Sequence, residues 1–399
     1  MSGVGGWEAV VYRIVIVVGL IVSCSAVAAE GGIAMPAIDT FNYAVGTQTF
    51  GASYGFTKEP RLIETAKVIL EMGSNTIKFA MGKRKNARPE ENSPEVHSLT
   101  EQARDNPVYR QLFDMPFACY AMWTHTFFEA GWRNGLSDEE RAAVYKECYE
   151  FASYLLKTYS GTHKTFFLGH WEGDWLLRPS HKLELDVPDR ALAGMIDWLN
   201  VRQKAVDDAK RRTPHHDVQV FNYAEVNLVK IGMQGSRCLT TDVLPKTNVD
   251  FVSYSCYDTE HNVADLKAAL DFIESKLPAK AGIPGKRVFI GEYGFPAFRF
   301  TPEQQDTKSR AVMRVGLDWG CPLILYWEMY NNEVDDDGKQ RGFWMIDDRN
   351  VKQPIYHTHQ RLYAWARKYA ADFAKRENRP PTFDEYRKAA VQWLDNLPK

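Results

Sequence analysis

Short hydrophobic runs with the two-residue period of a β-strand alternate along the chain with segments that carry the apolar spacing of amphipathic helices. Eight strand–helix pairs follow one another almost from end to end. Repetition of this kind is typical of a parallel β-sheet whose strands are joined by crossover helices. The predicted strands are residues 42–49, 75–81, 117–124, 165–172, 217–225, 250–257, 287–293 and 322–328.

Helices are indicated by apolar residues three and four positions apart and by residues that end a helix. One such face ends at Gly73 and a second precedes strand seven; their members are Leu62, Ala66, Ile69 and Leu70, and Leu266, Leu270, Ile273 and Leu277. Residues 138–159, 189–211 and 355–374 predict longer helices. Glycine and proline interrupt residues 227–248, so no continuous helix is expected there.

Eight strand–helix pairs over about 330 residues favour a closed (β/α)8 TIM barrel over an open, doubly wound sheet. No GxGxxG or Walker A pattern follows a strand, which removes the usual nucleotide-binding reason for an open sheet. We therefore predict one barrel domain over residues 30–375, with a long loop over residues 82–94. Residues 376–399 predict a short C-terminal helical extension whose helix opens with a capping box from Thr382 to Glu385.

The N-terminus has the features of a secretory signal peptide over residues 1–29. An apolar run from Ile14 to Val22 follows Arg13, and small residues precede Ala29. The run is far shorter than the roughly 20 residues that span a bilayer, so no integral membrane segment is expected after processing. We expect a secreted or periplasmic protein. The alternative is a lipobox that would make Cys24 a lipid anchor at the outer surface.

Charge and cysteine content exclude several classes of protein. The 399 residues carry 49 Lys and Arg against 51 Asp and Glu, so no basic excess exists to bind a nucleic acid. Aromatic residues make up 13% of the chain, which suits either an aromatic core or a site that stacks flat apolar rings. After residue 29 the cysteines are odd in number and lack CxxC spacing, so neither a disulfide framework nor a zinc knuckle is indicated.

Two glutamates lie where a barrel places its chemistry, at the C-terminal ends of strands. Strand alternation puts Leu168, His170 and Glu172 on the inward face of strand four, and it puts Glu292 inward on strand seven. Strands four and seven lie across the barrel mouth from each other. Two facing carboxylates are what acetal hydrolysis needs, since one protonates the leaving oxygen while the other attacks or activates water.

Less specific interpretations of these glutamates exist. The pair could form structural ion pairs with Lys78 or Arg341. An oxygen-rich metal site in a barrel hydrolase or isomerase is a second alternative. Its candidate ligands are His170, Glu172, Asp174, Glu225, Asp258 and Glu292. A third alternative is a secreted barrel that binds carbohydrate without catalysis.

Several passages of the chain resemble the clan A retaining glycoside hydrolases, and the resemblance covers nearly all of the chain after residue 29. They correspond to the passage from helix one to strand two, to strands six, seven and eight, and to the closing segment of that family. These passages are residues 70–78, 249–257, 289–294, 325–327, and 342–347 followed by 352–354.

The resemblance implies a (β/α)8 barrel that hydrolyses a β-linked oligo- or polysaccharide with retention and without a cofactor or metal. It assigns Glu292 as the nucleophile and Glu172 as the acid/base. Tyr257 would supply the hydroxyl that orients Glu292, and Trp327 would form the floor of the sugar subsite.

One departure from the family pattern affects this assignment. Many clan members have Asn immediately before the acid/base, whereas this chain has Trp171, so Asp174 remains a second candidate for the acid. Aromatic platforms and polar partners for a sugar are expected at the other strand ends. The predicted substrate-binding residues are Lys78, Trp123, His125, His170, Trp171, Asp174, Trp175, Asn222, Glu225, Trp327, Glu328 and Trp344, with Tyr330 as a further candidate.

Overall fold

Eight parallel strands pair in chain order, and the eighth pairs with the first, so the sheet closes into a barrel. The computed structural model describes residues 36–83 and 95–398. The predicted TIM barrel is confirmed, and every predicted strand overlaps an observed one. The strands are β1 (Val45–Gln48), β2 (Thr76–Gly82), β3 (Cys119–His125), β4 (Thr165–Gly169), β5 (Gln219–Val226), β6 (Phe251–Ser255), β7 (Val288–Tyr293) and β8 (Ile324–Tyr326).

Helices connect the strands and follow the barrel to the C-terminus. The helices are α1 (Pro36–Asp39), α2 (Arg61–Met72), α3 (Leu99–Asp105), α4 (Pro107–Asp114), α5 (Asp138–Thr158), α6 (Gly173–Leu177), α7 (Asp189–Arg212), α8 (Val229–Met233), α9 (Val263–Ser275), α10 (Pro302–Trp319), α11 (Pro354–Glu377) and α12 (Phe383–Asp395). Between β5 and β6, α8 is followed only by a π turn at Leu239–Val243 and a 3₁₀ turn at Leu244–Lys246, consistent with the broken pattern there.

The ends of the helices follow local sequence. Gly73 ends α2 with a left-handed backbone at φ 106°, where its backbone N–H reaches the carbonyls of the last turn. The predicted capping box opens α12, because the Thr382 hydroxyl accepts the Glu385 N–H while the Glu385 carboxylate accepts the Thr382 N–H. The specific sequence predictions do not include helices α1, α3, α4, α6, α8 and α10.

Two apolar layers make up the core, one between the barrel and its helices and a smaller one inside the barrel. On β4, Phe167 belongs to the inner layer and Leu168 to the outer one. The prediction that Leu168 and His170 face inward is therefore wrong. Strand β4 also ends at Gly169 rather than at residue 172, because the chain turns there into α6. Glu172 reaches the mouth from this turn.

A bulge changes the direction of the strand that carries the second glutamate. Phe289 lies in the inner layer and Ile290 in the outer one, so simple alternation would turn Glu292 away from the interior. Ser255 pairs with Glu292 although the preceding residue Tyr254 pairs with Ile290, so β7 holds one extra residue. Bulges of this kind re-aim side chains next to active sites. Glu292 thereby comes into contact with Lys78.

The predicted signal peptide, Cys24 and residues 84–94 of the predicted loop lie outside the described residues. The remaining cysteines, Cys119, Cys148, Cys238, Cys256 and Cys321, are buried and have free thiols. In the stretches 36–83 and 95–398, no helix combines the length and the apolar character needed to cross a membrane.

Gly194 allows α7 to pack closely against the loop that precedes α5. A Cβ atom at this position would lie 1.7 Å from the carbonyl oxygen of Trp132, which is backbone and cannot rotate away. We expect Gly194→Ala to lower the free energy of unfolding by about 1–3 kcal/mol through overpacking. An unconstrained helix interior would instead gain up to about 1 kcal/mol from this change.

Urea unfolding of both variants and the wild type measures this effect. Gly316→Ala in α10 is the matched control, because its nearest neighbour is the terminal Cδ1 of Ile324, at 2.7 Å, which can move. We expect a smaller loss in that variant. A Gly194→Ala protein as stable as the wild type would contradict the close approach.

Candidate active site

A buried lysine lies between two carboxylates at the centre of the barrel. Lys78 on β2 is fully buried, and its Nζ donates to Glu225 Oε2 at 2.9 Å, to Glu292 Oε1 at 3.0 Å and to the Gly291 carbonyl at 3.1 Å. Burial acts to lower the pKa of Lys78, but the two carboxylates together outweigh it and raise this pKa. The ion pair considered as an alternative for Glu292 is therefore present.

Glu292 is held by two groups, one on each carboxylate oxygen. Lys78 binds Oε1, and the Tyr257 hydroxyl donates to Oε2 at 3.4 Å, as the resemblance implies. Burial raises the pKa of Glu292 to about 7, with Lys78 opposing the rise and the nearby Glu225 adding to it. The second proposed partner, Arg341, instead binds Glu333 and Asp335.

Glu172 is the residue immediately before α6 and is 9% exposed. Its backbone N–H donates to Glu225 Oε1 at 3.1 Å. Burial raises the pKa of Glu172 well above its ordinary value, and the charges of Glu292 and Glu225 raise it further. Lys78 and the Tyr257 hydroxyl bind Glu292 directly, so a cation and a hydroxyl stabilise the anion of that carboxylate.

Glu225 on β5 is the most heavily hydrogen-bonded carboxylate of the site. Besides Lys78 and the Glu172 backbone, it accepts the Trp123 indole N–H at 3.0 Å and the Ser253 hydroxyl at 2.7 Å. Its side chain has no exposed surface. The sequence predicted Glu225 as a sugar contact, and the structure places it beneath the mouth instead.

Two other predicted site residues lie away from the mouth. Asp174 is buried and accepts the backbone N–H groups of Leu239 at 2.6 Å, Asn227 at 2.9 Å and Leu228 at 3.1 Å. The Asn222 amide donates to Gln203 on α7 at 3.2 Å. Asp174 thus joins the segment after β4 to the segment after β5. Asn222 contacts helix α7.

Aromatic side chains form the wall of a cleft of about 330 Å³ at the mouth. The ring of Phe50 packs against Trp123 and Trp327, with centroid distances of 4.1 Å and 5.1 Å. Glu333 accepts the Trp327 indole N–H at 3.1 Å and lines the same cleft. The cleft residues are Phe50, Ala80, Trp123, His125, Trp171, Trp327, Asn332 and Glu333.

A second cleft of about 250 Å³ adjoins the first and shares His125 and Trp171 with it. Its other aromatic lining residues are Phe128, Trp132 and Trp198, and His170 also lines it. The Trp132 and Trp198 rings stack at a centroid distance of 5.7 Å. Two adjoining clefts with aromatic walls and polar edges suit a ligand made of more than one amphipathic ring.

The remaining predicted residues, Glu328, Trp175, Trp344 and Tyr330, are not among those that line the two clefts. Glu328 is fully buried and accepts the backbone N–H groups of Phe50 at 2.9 Å and Asn332 at 3.1 Å, which ties the loop after β1 to the loop after β8. Trp175 in α6 and Trp344 are half-buried. Tyr330 stacks on Tyr54 at a centroid distance of 5.4 Å.

Sequence reasoning missed Phe50, Ser253, Asn332 and Glu333, and in the second cleft it missed the aromatic residues Phe128, Trp132 and Trp198. Phe50, Asn332 and Glu333 follow β1 or β8, so the rule that polar and aromatic residues after a strand line the mouth could have found them. Ser253 lies within β6 and gives no comparable signal. Its contact with Glu225 depends on the pairing of neighbouring strands.

The carboxylates proposed as metal ligands are bound to protein donors in different places. Asp174 accepts backbone N–H groups of the segment that follows β5, whereas Glu225 accepts Lys78, Trp123 and Ser253 inside the barrel. Within residues 36–83 and 95–398, no three His, Cys, Asp or Glu side chains are grouped so that they could hold a metal ion.

Comparison with solved structures finds barrels of the same fold. A GH5_18 variant from Streptomyces cattleya, in complex with Manβ1-4GlcNAc, matches with a TM-score of 0.52 at 11% identity, over 80% of each chain. GH5_18 from Bifidobacterium longum subsp. longum matches with a TM-score of 0.52 at 14% identity, over 82% of this chain and 79% of that one. The fold is shared with clan A glycoside hydrolases. No protein-family model and no curated protein matches the sequence.

His170 connects the end of β4 to β5 as a neutral imidazole. Its Nε2 accepts the Glu225 backbone N–H at 3.3 Å, so Nδ1 carries the proton that bonds the Trp171 carbonyl at 2.9 Å. Burial lowers the pKa of His170 to about 3. A histidine in the unfolded chain has a pKa of about 6.5.

Stability should therefore depend on His170 between these two pKa values. Below about pH 6.5 the unfolded chain binds a proton that the native protein does not, so the stability present above that pH is lost as the pH falls. Between pH 7 and pH 5 we expect the wild type to lose about 2 kcal/mol more than His170→Gln. Urea unfolding at both pH values measures this. The exposed His357→Gln is the control, and a His170→Gln protein with the wild-type pH dependence would contradict the assignment.

Proposed function

We propose that this protein is a retaining glycoside hydrolase that cleaves a β-linked oligo- or polysaccharide. One observation carries the proposal: Glu172 follows β4, and Glu292, held by Lys78 and Tyr257, lies on β7 at the same mouth. The aromatic cleft above them supports a sugar substrate, because sugar rings present apolar C–H faces to indole rings. The shared fold agrees with this chemistry.

The first step forms a covalent glycosyl-enzyme. A Glu292 oxygen attacks the anomeric carbon, the bond from that carbon to the leaving oxygen breaks, and Glu172 gives its proton to that oxygen. The negative charge of Glu292 is consumed in the new ester bond. The pKa of Glu172 then falls, because a main cause of its elevation after burial is that charge.

The second step returns the enzyme to its starting state. Glu172, now ionised, takes a proton from water as the water oxygen attacks the anomeric carbon. The ester bond to Glu292 breaks and Glu292 leaves as a carboxylate. The sugar is released with its original anomeric configuration, and Lys78 and Tyr257 again stabilise the Glu292 anion.

The choice of substrates for a first screen follows from the comparisons. A GH5_18 relative of the fold was solved in complex with Manβ1-4GlcNAc, so β-mannosides are the first group to test. Plant, algal and fungal β-linked polysaccharides and chromogenic aryl β-glycosides complete the set. An extracellular polysaccharide would also agree with the signal peptide predicted for residues 1–29.

Glu292→Ala should lower kcat on the best substrate of this screen by at least about a thousand-fold, because it removes the nucleophile and leaves the aromatic wall intact. Glu172→Ala should lose much less activity on a dinitrophenyl glycoside than on an unactivated substrate, since a good leaving group needs no acid. Release of reducing sugar and of dinitrophenolate measures these effects. The exposed Glu184→Gln serves as the control and should keep wild-type activity.

Three results would contradict this proposal. Activity that EDTA abolishes and a divalent ion restores would favour the metal-dependent alternative. Sugar binding without hydrolysis of any substrate would favour the carbohydrate-binding alternative. A Glu292→Ala protein that folds and keeps most of its activity would exclude Glu292 as the nucleophile.

A further inference from the structure

We propose that Glu225 is a positioning residue: its carboxylate holds Lys78 against Glu292 and fixes the backbone at Glu172, and it does not bind the sugar. The inference rests on the proposed function, because it concerns the same two catalytic glutamates. It also differs from the sequence prediction, in which Glu225 contacts substrate.

The hydrogen-bonding capacity of the Glu225 carboxylate is fully used by protein donors. Oε1 accepts the Trp123 indole at 3.0 Å and the Glu172 N–H at 3.1 Å, and Oε2 accepts Lys78 at 2.9 Å and the Ser253 hydroxyl at 2.7 Å. A carboxylate has about four lone-pair sites, and four donors occupy them here. No site remains for a sugar hydroxyl.

The four donors to Glu225 come from four different parts of the barrel. They belong to β2, β3, β6 and the turn after β4, and Glu225 itself lies on β5. One buried side chain thus sets the relative positions of five adjacent barrel segments. Two of the donors belong to the cleft and the catalytic pair, because Trp123 lines the cleft and Glu172 is the proposed acid.

Glu225 also helps to fix the orientation of the Lys78 side chain. Its ammonium group divides its contacts between Glu225, Glu292 and the Gly291 carbonyl, and it lies 4.6 Å from the centroid of the Trp123 ring. Lys78 carries a long flexible side chain that only fixed acceptors can hold in one rotamer. Glu225 supplies the acceptor that does not take part in the reaction, so Lys78 stays in place when the Glu292 charge is consumed.

The titratable groups around Glu292 come from five elements, and Glu225 is one of them. Glu328 after β8 is another, since the Glu292 charge contributes to the raised pKa of Glu328. Lys78 of β2 lowers the pKa of Glu292, the Tyr257 hydroxyl after β6 also lowers it, and Glu225 of β5 raises it. Glu172 after β4 faces the same group and is itself raised by both Glu292 and Glu225. Replacing Glu225 by a neutral residue therefore lowers the pKa of Glu172, whereas at Glu292 the lost negative charge and a loosened Lys78 act in opposite directions.

Glu225→Gln is the principal test, with kinetics measured on the best glycoside found for the wild type. We expect kcat to fall about a hundred-fold with KM changed less than about threefold, because the loss concerns positioning rather than binding. The basic limb of the pH profile of kcat/KM, which reports the acid Glu172, should move to lower pH. Near-ultraviolet circular dichroism and the urea midpoint establish that the variant is folded.

Two further variants separate charge from geometry. Glu225→Asp keeps the charge but shortens the side chain, so its pH profile should stay near that of the wild type while kcat falls. Ser253→Ala removes a single donor and should lower kcat about two- to fivefold at unchanged KM. These variants decide the question even if Glu225→Gln does not fold, since a rise in KM with unchanged kcat in either would identify Glu225 as a sugar contact and overturn the proposal.

A measurement without glycoside separates this inference from the proposed function. Carboxyl carbon NMR of protein labelled at glutamate Cδ, assigned with Glu172→Gln and Glu292→Gln, reports the titration of both catalytic groups. We expect the titration midpoints of Glu172 and Glu292 to change in Glu225→Gln. If that variant is unfolded, we expect the change in Ser253→Ala compared with the wild type. If the midpoints change but the wild-type protein hydrolyses no glycoside, the positioning role of Glu225 stands and the proposed glycosidase activity is rejected. Hydrolysis by the wild type with unaltered midpoints would reject the positioning role alone.

Discussion

The contact of the Lys78 ammonium group with the carboxylates of Glu225 and Glu292 determines how the rest of the site is arranged. A buried ion costs several kcal/mol of lost hydration unless partners with good geometry compensate it. Here the ammonium has three acceptors within 3.1 Å, and Glu225 has four donors within 3.1 Å. Removing Lys78 would leave two buried carboxylates without their cation, so the strands that carry these three groups must bring them together.

This requirement explains why the site needs a closed barrel. Lys78, Glu225 and Glu292 belong to β2, β5 and β7, none of which pairs with another of the three. They meet only because the sheet closes and because the inner aromatic layer, with Phe167, Tyr223 and Phe289, fills the space below them. Phe50, Trp123 and Trp327 pack together at one side of the mouth. Burial raises the pKa of both glutamates, and Lys78 and Tyr257 oppose this rise at Glu292.

The sequence predicts the barrel well because its signals are local. Strand periods, the glycine after α2 and the capping box of α12 each depend on a few neighbouring residues. The site is harder to predict, because its geometry comes from departures from regular structure. Glu172 reaches the mouth from a turn after β4 and Glu292 through a bulge in β7, so alternation named both residues on incorrect grounds. The roles of Glu225 and Ser253 depend on contacts between strands that no local pattern records.

The most direct test of the central claim is the stereochemistry of the reaction. If Glu172 and Glu292 are the acid/base and the nucleophile, hydrolysis passes through a covalent intermediate, and carboxyl groups about 5 to 5.5 Å apart leave no room for an intervening water. Proton NMR of the first sugar formed, recorded before mutarotation, measures the outcome. We expect the first sugar formed to have the same anomeric configuration as the substrate. The opposite anomer would show direct attack by water and would contradict the role of Glu292 as the nucleophile.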